Sequence, residues 1–310
     1  MRILITGGAG FIGSNLVGCA LKKSYKVHIL KKKSSNTWKI KEYLTKVQVH
    51  NQEDLEQVFK KYSIDIVVHL ASKYIKFDNT KAERKLLYES NTVFAKHLLD
   101  ICIKNDVKGF INTGTFFEYQ PTKLPISERS ARKPFNYYTQ TKMEFEEYIK
   151  LQANQNTIRG VTLKLFSTYG EKDDRSVIYL MNKALIDKKP LKLGSGLQKL
   201  SYTYVGDIVS AYIKAIEYVI SNNYQTYEVF NIGSSSVISI KEIGNKLIKI
   251  AGSNSKLLQF NSLSQTKHEI QQALCDNRKA SKFLNWQAQI PIRDGLQTTY
   301  DYWQKRKNND

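Results

Sequence analysis

Short apolar runs alternate with longer amphipathic stretches through the first half of the chain. The apolar runs have the length and composition of buried strands and lie at 2–6, 26–30, Val47–Val49, Asp65–Leu70, Gly109–Thr113 and Val161–Phe166. The stretches between them repeat apolar positions at helical spacing, as in Glu53–Tyr62, Ala82–Asn105 and Tyr138–Gln152. This alternation of strand and helix predicts an α/β fold with a parallel, doubly wound sheet.

The alternation breaks up beyond residue 170. Helical spacing continues near 176–187, 207–221, 239–251 and 293–305, and polar, glycine-containing segments connect these helices. We therefore expect a sheet domain over 1–168 with return segments around 202–233. A smaller, partly interleaved lobe should take up most of 169–310 and bind the substrate.

Three glycines separate the first predicted strand from the first predicted helix. The apolar run Ile3–Ile5 is followed by Gly7, Gly10 and Gly13. In a strand–turn–helix unit, such glycines allow a tight turn, close approach of a pyrophosphate and close helix–strand packing. The pyrophosphate then contacts the N–H groups of the first helical turn. The sequence therefore predicts a Rossmann-type dinucleotide site after the first strand.

Composition narrows the class of protein. The chain has 310 residues, 41% of them hydrophobic, and a net charge of +20. The basic residues are scattered and no nucleic-acid-binding signature accompanies them, so we expect no nucleic-acid partner. No apolar run reaches membrane-spanning length, and the three cysteines lack metal-ligand spacing. These features favour a cytoplasmic protein without membrane insertion or a metal site.

A tyrosine and a lysine lie one helical turn apart at Tyr138 and Lys142. Side chains at positions i and i+4 share a helix face, and an ammonium group near a phenol favours the phenolate. We therefore expect Lys142 to lower the pKa of Tyr138 and make it a proton-transfer group. The pair is common on plain helix surfaces, and only its place after the glycine turn and the strand–helix units favours catalysis. Thr113 ends the preceding strand, at the edge where open α/β sheets bind ligands.

With these three elements in order, the chain resembles the extended short-chain dehydrogenase/reductase family, in its nucleotide-sugar epimerase, dehydratase and reductase branch. Later segments, such as Tyr204–Asp207 and Phe230–Gly233, are also similar to motifs of that family, and Asn91 matches its helix asparagine. The resemblance implies that the catalytic residues are Thr113, Tyr138 and Lys142. It also implies that the cofactor contacts Gly7, Gly10, Phe11, Ile12, Gly13, Leu70, Ala71, Tyr138 and Lys142.

One departure from the family pattern bears on the cofactor. Family members commonly end the second strand with an acidic residue that binds the ribose hydroxyls of NAD, and Lys31 stands there in this chain. A carboxylate would repel a 2′-phosphate, whereas ammonium and hydroxyl groups would bind it. We therefore expect NADP(H). The alternative is a solvated turn in a lysine-rich protein. The turn consists of Lys31, Lys32, Lys33, Ser34 and Ser35.

A second departure bears on the reaction. The 4,6-dehydratases of this branch place Asp-Glu directly after the catalytic threonine, whereas Gly114 and Thr115 follow Thr113 here. Reduction and epimerisation are left, and an exchangeable NADPH favours reduction. The local sequence around 34–38, 112–116 and 198–202 most resembles the CDP-abequose and CDP-paratose synthases.

That finer resemblance implies NADPH-dependent reduction of the C4 keto group of a 4-keto-6-deoxy or 3,6-dideoxy sugar. The sugar would be linked to a nucleotide, with CDP favoured, and made for a surface polysaccharide such as lipopolysaccharide O-antigen. An NAD-linked nucleotide-sugar 4-epimerase is the alternative. A non-enzymatic NADPH-binding regulator is less favoured, because Tyr138 and Lys142 are both present.

The resemblance says least about the substrate lobe. Many family members carry an arginine that reaches the nucleotide phosphates, and Leu200 stands at that position. Relatives often form homodimers through two helices of each subunit, and we expect a homodimer here. The candidate substrate contacts are Thr115, Ser167, Gln198, Lys199 and Tyr202.

Overall fold

A computed structural model describes residues 1–75, 80–119, 123–155, 157–221, 227–263 and 270–308. Its strands are β1 (Arg2–Thr6), β2 (Lys26–Lys31), β3 (Gln48–Asn51), β4 (Ile66–His69), β5 (Gly109–Thr115), β6 (Gly160–Leu165), β7 (Thr168–Tyr169), β8 (Leu191–Lys192), β9 (Lys199–Leu200), β10 (Thr203–Tyr204), β11 (Tyr227–Ile232), β12 (Ile238–Ser239), β13 (Leu258–Gln259) and β14 (Gln272–Ala273). Its helices are α1 (Phe11–Lys22), α2 (Leu55–Lys61), α3 (Lys81–Tyr88), α4 (Phe94–Lys104), α5 (Tyr137–Asn154), α6 (Val177–Asp187), α7 (Val205–Ile220), α8 (Ile240–Ile250), α9 (Arg278–Leu284) and α10 (Ile292–Lys307).

Seven parallel strands form the central sheet, in the order β11-β6-β5-β4-β1-β2-β3. The strand order changes direction between β1 and β4, and helices cover both faces of the sheet. The predicted Rossmann-type, doubly wound fold is therefore confirmed. The register places Thr6 opposite Leu30 and His69, and His69 opposite Asn112. The carboxyl ends of β1, β2, β4 and β5 therefore meet at one edge of the sheet.

Each face of the sheet buries its own apolar cluster. On one face, Ile3 and Ile5 of β1 pack with α1 and with Tyr212 of α7. On the other face, Leu4 and Val67 pack with α2, α4 and Phe145 of α5. Such two-sided burial is why the strand sequences read as continuous apolar runs rather than as alternating ones.

Two elements from the second half of the chain complete this sheet. α7 packs against α1, and β11 pairs with β6 along its whole length. The smaller lobe contains a third apolar cluster, formed mainly by α6, α8 and α10. The expected division at residue 168 stays a prediction, although the chain crosses between the two cores more than once.

Ion pairs join the smaller lobe to the segment that follows β2. Lys39 Nζ lies 2.7 Å from Asp174 Oδ1, and Lys172 Nζ lies 3.0 Å from Glu42 Oε1. The Arg306 guanidinium of α10 stacks 3.8 Å from the centre of the Trp38 ring. Among the described residues, no helix combines the length and the apolar character that crossing a bilayer requires.

Candidate active site

The turn between β1 and α1 depends on its glycines. Gly7 has a φ of +69°, and a Cβ atom there would lie 2.8 Å from the backbone nitrogen of Ala71. A Cβ at Gly13 would overlap the carbonyl oxygen of Gly7. A side chain at either position would therefore push the strand ends and the helix apart. The structure brings Leu70 and Ala71 directly against the glycine turn.

The first turn of α1 suits an anion. The helix begins after Gly10, and no side chain caps its N-terminus. Phe11 and Ile12 are half-buried in that turn. Uncapped N–H groups carry a partial positive charge, and the glycines leave room for a ligand to approach the backbone. These residues therefore fit the pyrophosphate of a dinucleotide cofactor.

The Lys31–Ser35 turn lies beside the glycine turn, because β2 is the parallel neighbour of β1. A hydrogen bond of 2.9 Å from the Ser35 N–H to the Lys32 carbonyl oxygen closes the turn. Lys31 Nζ donates to the same carbonyl at 3.2 Å, and residues 32–34 are exposed. The turn therefore presents ammonium and hydroxyl groups at the edge of the predicted dinucleotide site.

Tyr138 lies in the first turn of α5, where Asn136 caps the helix by accepting the Thr139 N–H at 3.0 Å. Burial raises the pKa of Tyr138 to about 12, against a smaller lowering by a hydrogen bond with Ser72. The pKa of Tyr138, which we expected Lys142 to bring down, is therefore raised instead, because removal of the phenol from water has the largest effect. The phenol is protonated at neutral pH.

Lys142 follows one turn later and is only 3% exposed. Burial lowers its pKa to about 8, and the charges of Glu118 and Glu146 oppose that lowering. The ammonium form is therefore retained at pH 7 by a narrow margin.

The loop after β4 approaches Tyr138 and is held by Asn91. Asn91 Oδ1 accepts the Lys73 N–H at 2.8 Å, and its Nδ2 donates to the Lys73 carbonyl at 2.9 Å. Asn91 lies in a π-helical turn, Glu89–Val93, between α3 and α4, and such turns frequently occur at functional sites. Ser72, which also hydrogen-bonds to Asn91, was missed by the sequence reasoning.

Thr113 lies near the end of β5 with its hydroxyl already engaged. Thr113 Oγ1 donates to the His69 carbonyl at 2.9 Å and lies 2.7 Å from the hydroxyl of Tyr212. A threonine hydroxyl has one proton, so Tyr212 must donate in the second contact. Thr115 Oγ1 accepts the Phe117 N–H at 3.3 Å, a contact that does not use the hydroxyl proton of Thr115. The catalytic role expected of Thr113 therefore requires its hydroxyl to turn away from His69.

Two acidic and two basic side chains from separate segments meet between β5, β6 and α5, and we call them the buried charge cluster: Glu118, Arg132, Glu146 and Lys164. Lys164 Nζ lies 2.9 Å from Glu118 Oε2 and 3.3 Å from Glu146 Oε2. Arg132 lies 3.1 Å from Glu118 and 3.0 Å from Glu146. Sequence reasoning missed the cluster, although Glu146 stands one helical turn after Lys142 and could have been found by that spacing.

Gly114 faces this cluster. A Cβ there would lie 3.0 Å from Glu118 Oε1, Lys164 Cγ and Thr162 Cγ2. Glu118 thus occupies the space into which a side chain at 114 would extend. The Asp-Glu pair of the dehydratases has no counterpart at positions 114 and 115, and an aspartate at 114 would collide with Glu118.

Comparison with known proteins decides the family. The model of the NAD dependent epimerase/dehydratase family matches residues 3–233, which include the glycine turn, Tyr138 and Lys142. The chain belongs to this family. It is therefore an epimerase/dehydratase-family enzyme with a nicotinamide dinucleotide as cofactor.

Several relatives of the family match almost the whole chain. A putative UDP-glucose 4-epimerase of Methanocaldococcus jannaschii is 26% identical, over 99% of this chain and 99% of that protein. A CDP-abequose synthase of Salmonella typhimurium is 24% identical, over 95% of this chain and 96% of that protein. A UDP-glucuronic acid 4-epimerase of Bacillus cereus, solved with UDP-glucuronic acid and NAD, is 27% identical, with a TM-score of 0.88 over 99% of this chain and 100% of that chain.

The candidate substrate residues of this family member are spread over two regions. Thr115 ends β5, and the carbonyl of Ser167 accepts the Thr203 N–H at 2.8 Å where the smaller lobe begins. Gln198 and Lys199 lie in and beside the short β9, with Lys199 exposed. Tyr202 packs against the apolar cluster of the lobe.

Leu200 stands where many family members carry an arginine, and its surroundings are also apolar. Leu200 packs against the cluster that contains Phe116 and Phe166. Leu200 itself offers no charge to a phosphate, and its neighbour in β9 is the exposed Lys199.

Proposed function

We propose that this enzyme reduces the C4 keto group of a nucleotide-activated 4-keto-6-deoxy or 3,6-dideoxy sugar with NADPH, the CDP-linked sugar being favoured. The observation that carries the proposal is the Lys31–Ser35 turn, which offers cations and hydroxyls where a carboxylate would select NAD. An NADPH that exchanges at each turnover suits a reductase. An epimerase, in contrast, retains its cofactor and reuses it.

The residues that would hold the cofactor are those of the glycine turn, the Lys31–Ser35 turn and Leu70–Ala71. Once bound there, NADPH would supply the hydride that reduces the C4 carbonyl. The exposed ammonium groups of the turn would bind the 2′-phosphate. Lys142 would reach the nicotinamide ribose.

Tyr138 supplies the proton in this scheme. A keto group that gains a hydride becomes an alkoxide and must take up one proton, which yields the C4 hydroxyl. The pKa of Tyr138, raised to about 12 by burial, keeps the phenol protonated until the alkoxide develops. The Lys142 ammonium then stabilises the phenolate that remains. Thr113 would orient the C4 oxygen after its hydroxyl turns away from His69.

A nucleotide-sugar 4-epimerase is the second candidate. It is favoured by the sequence relative that is a putative UDP-glucose 4-epimerase and by the structural relative that binds UDP-glucuronic acid and NAD. Its catalytic pair would be the same Tyr138 and Lys142. The two candidates differ in whether external reductant is consumed.

An NADPH-oxidation assay against CDP-, GDP-, UDP- and dTDP-linked 4-keto-6-deoxysugars tests the proposal, with the product identified by NMR. We expect NADPH consumption and a C4 hydroxyl product with at least one of them. In Tyr138→Phe the rate should fall by about 10²–10⁴-fold, because the proton donor is lost, while NADPH affinity is unchanged. Tyr137→Phe, on the same helix turn, is the matched control and should retain activity.

The epimerase is distinguished in the same preparation. Purified protein that carries tightly bound NAD, and that interconverts C4 epimers of a UDP-sugar without added reductant, would contradict the reductase and support the alternative.

A further inference from the structure

The turn proposed to bind the 2′-phosphate is held at two ends, one in the sheet and one in a short helix. At the first end, Lys31 closes β2, which pairs with β1 and β3. At the second end, Asn36 Oδ1 accepts the Trp38 N–H at 2.8 Å, and a 3₁₀ helix begins there, Trp38–Tyr43. Residues 32–34 are exposed between these ends. The position of the lysine side chains therefore depends on what holds the short helix.

The smaller lobe holds the short helix through side chains that we call the interlobe clasp: Trp38, Lys39 and Glu42 from the helix, and Lys172, Asp174 and Arg306 from the smaller lobe. It consists of two ion pairs, Lys39–Asp174 and Lys172–Glu42, and of the Arg306 guanidinium stacked on the Trp38 ring. Lys39 and Asp174 are 135 residues apart in the chain. The clasp therefore joins the segment after β2 to two separate parts of the smaller lobe.

The two lysines of the clasp are almost fully buried, with Lys39 8% exposed and Lys172 7% exposed. Buried ion pairs seldom add net stability, because desolvation of the charges offsets their attraction. Lys172 also has a φ of +68°, a left-handed conformation that is uncommon for a residue with a side chain. Buried charge and backbone strain at one junction are better explained by a functional position than by stability.

The smaller-lobe side of the clasp also contacts α1. Asn15 Nδ2 donates to the Glu171 carbonyl at 3.1 Å and to the Phe11 carbonyl at 3.0 Å. Phe11 lies in the helical turn that fits the pyrophosphate. The segment 171–174 is thus bound both to the helix that carries this turn and, through Asp174, to the short helix that follows the lysine turn. It thereby sets the distance between the two parts of the site that would bind phosphates.

We propose that the residues of the interlobe clasp are positioning residues, which hold the Lys31–Ser35 turn at the 2′-phosphate and so give the enzyme a preference for NADPH over NADH. The inference rests on the proposed function in one respect, which is that this turn binds the 2′-phosphate. NADH lacks that phosphate and gains nothing from the position of the turn. A weakened clasp therefore affects one cofactor, whereas a general loss of structure would affect both.

The test is a fluorescence titration of the full-length protein with NADPH and with NADH. The double variant Lys39→Met/Asp174→Asn removes an ion pair of the clasp without changing the net charge, so the long-range attraction of the phosphate is preserved. We expect NADPH to bind about 10-fold more weakly, the equivalent of one charge-assisted hydrogen bond, and NADH binding to be unchanged. Arg306→Ala uncovers the Trp38 ring and should act in the same direction.

Two comparisons show whether the effect passes through the turn. In a Lys31→Asp background the turn no longer favours the phosphate, so the double variant should weaken NADPH binding no further. The matched control is Lys279→Met/Glu228→Gln, which removes an ion pair between α9 and β11, at the edge of the sheet far from β2. The control should alter neither affinity.

Circular dichroism establishes which variants are folded, and Arg306→Ala carries the test if the double variant does not fold. An unchanged NADPH affinity in the folded clasp variant overturns the inference, as does an equal weakening of NADPH and NADH binding. If the unaltered protein binds both cofactors equally, the proposed cofactor and this inference fail together. If it prefers NADPH and the clasp variants keep that preference, this inference alone fails.

Discussion

Burial controls the protonation of the residues around Tyr138. It raises the pKa of Tyr138, lowers that of Lys142 and lowers that of His69 to about 3. In all three cases the charged form is disfavoured, because the site is removed from water. The phenol, the ammonium and the neutral imidazole are therefore the forms present at neutral pH, and only Lys142 is close to a change of state.

The hydroxyl of Thr113 gives a prediction at this scale. Thr113→Val should lower kcat/KM by about 10-fold or more, because no hydroxyl remains to orient the C4 oxygen, whereas Thr113→Ser should retain most activity. The valine also leaves the buried Tyr212 hydroxyl without its partner and should cost about 1–3 kcal/mol in the free energy of unfolding. Steady-state kinetics and urea denaturation measure the two effects.

A double variant separates stability from activity at this site. Tyr212→Phe in the Thr113→Val background should recover stability without restoring kcat/KM. Thr115→Val is the comparison in the same turn. A larger loss in Thr115→Val than in Thr113→Val would transfer the orienting role to Thr115.

At the scale of elements, the carboxyl ends of neighbouring strands assemble the site. β1 contributes the glycine turn, β2 the lysine turn, β4 the Leu70–Ala71 contact and β5 the Thr113 hydroxyl. The glycine turn, the lysine turn and Thr113 were visible as local strand–turn patterns, and Leu70 and Ala71 were expected from the family resemblance. The Leu70–Ala71 contact with Gly7 and the engagement of Thr113 with Tyr212 were not visible, because they join segments far apart in the chain.

The end of β2 gives the prediction at the element scale. Lys31→Asp restores the acidic residue typical of NAD-binding relatives and should weaken NADPH binding by about 10-fold or more while improving NADH binding, because a carboxylate repels the 2′-phosphate. Fluorescence titration with each cofactor measures both changes. Lys26→Asp reverses a charge at the other end of the same strand and should alter neither affinity. Equal affinity of the unaltered protein for NADH and NADPH would contradict the assignment of the turn.

At the scale of the whole molecule, the six strands predicted from the sequence are confirmed, with ends that coincide or are displaced by one or two residues. Inner strands such as β1 and β4 were predictable because a parallel strand buried on both faces is largely apolar, whereas β3, at the sheet edge, is exposed or half-buried. The seven-residue α9 was missed. The buried charge cluster was also missed: its members stand at 118, 132, 146 and 164, and a single sequence does not reveal which distant charges meet.

The crossing of the chain between the two cores gives a prediction for fragments. A fragment ending at residue 168 lacks α7 and β11, and so exposes the apolar surface that Ile208, Tyr212 and Ile216 cover in the full chain. We expect this fragment to show no cooperative thermal transition by circular dichroism and to bind a hydrophobic dye, whereas the full chain unfolds cooperatively. A cooperative transition in the fragment would instead support an independent domain over 1–168.

β11 lies far along the sequence from β6, and this distance affects the chain while it is being synthesised. While the chain grows from its N-terminus, β6 can pair with β5 as soon as both have emerged, but its other edge has no partner until Tyr227–Ile232 follow. An unpaired strand edge is a template for any other extended chain. Newly made copies are therefore most open to aggregation with one another during that interval of translation, and a slower passage through the intervening codons would prolong it.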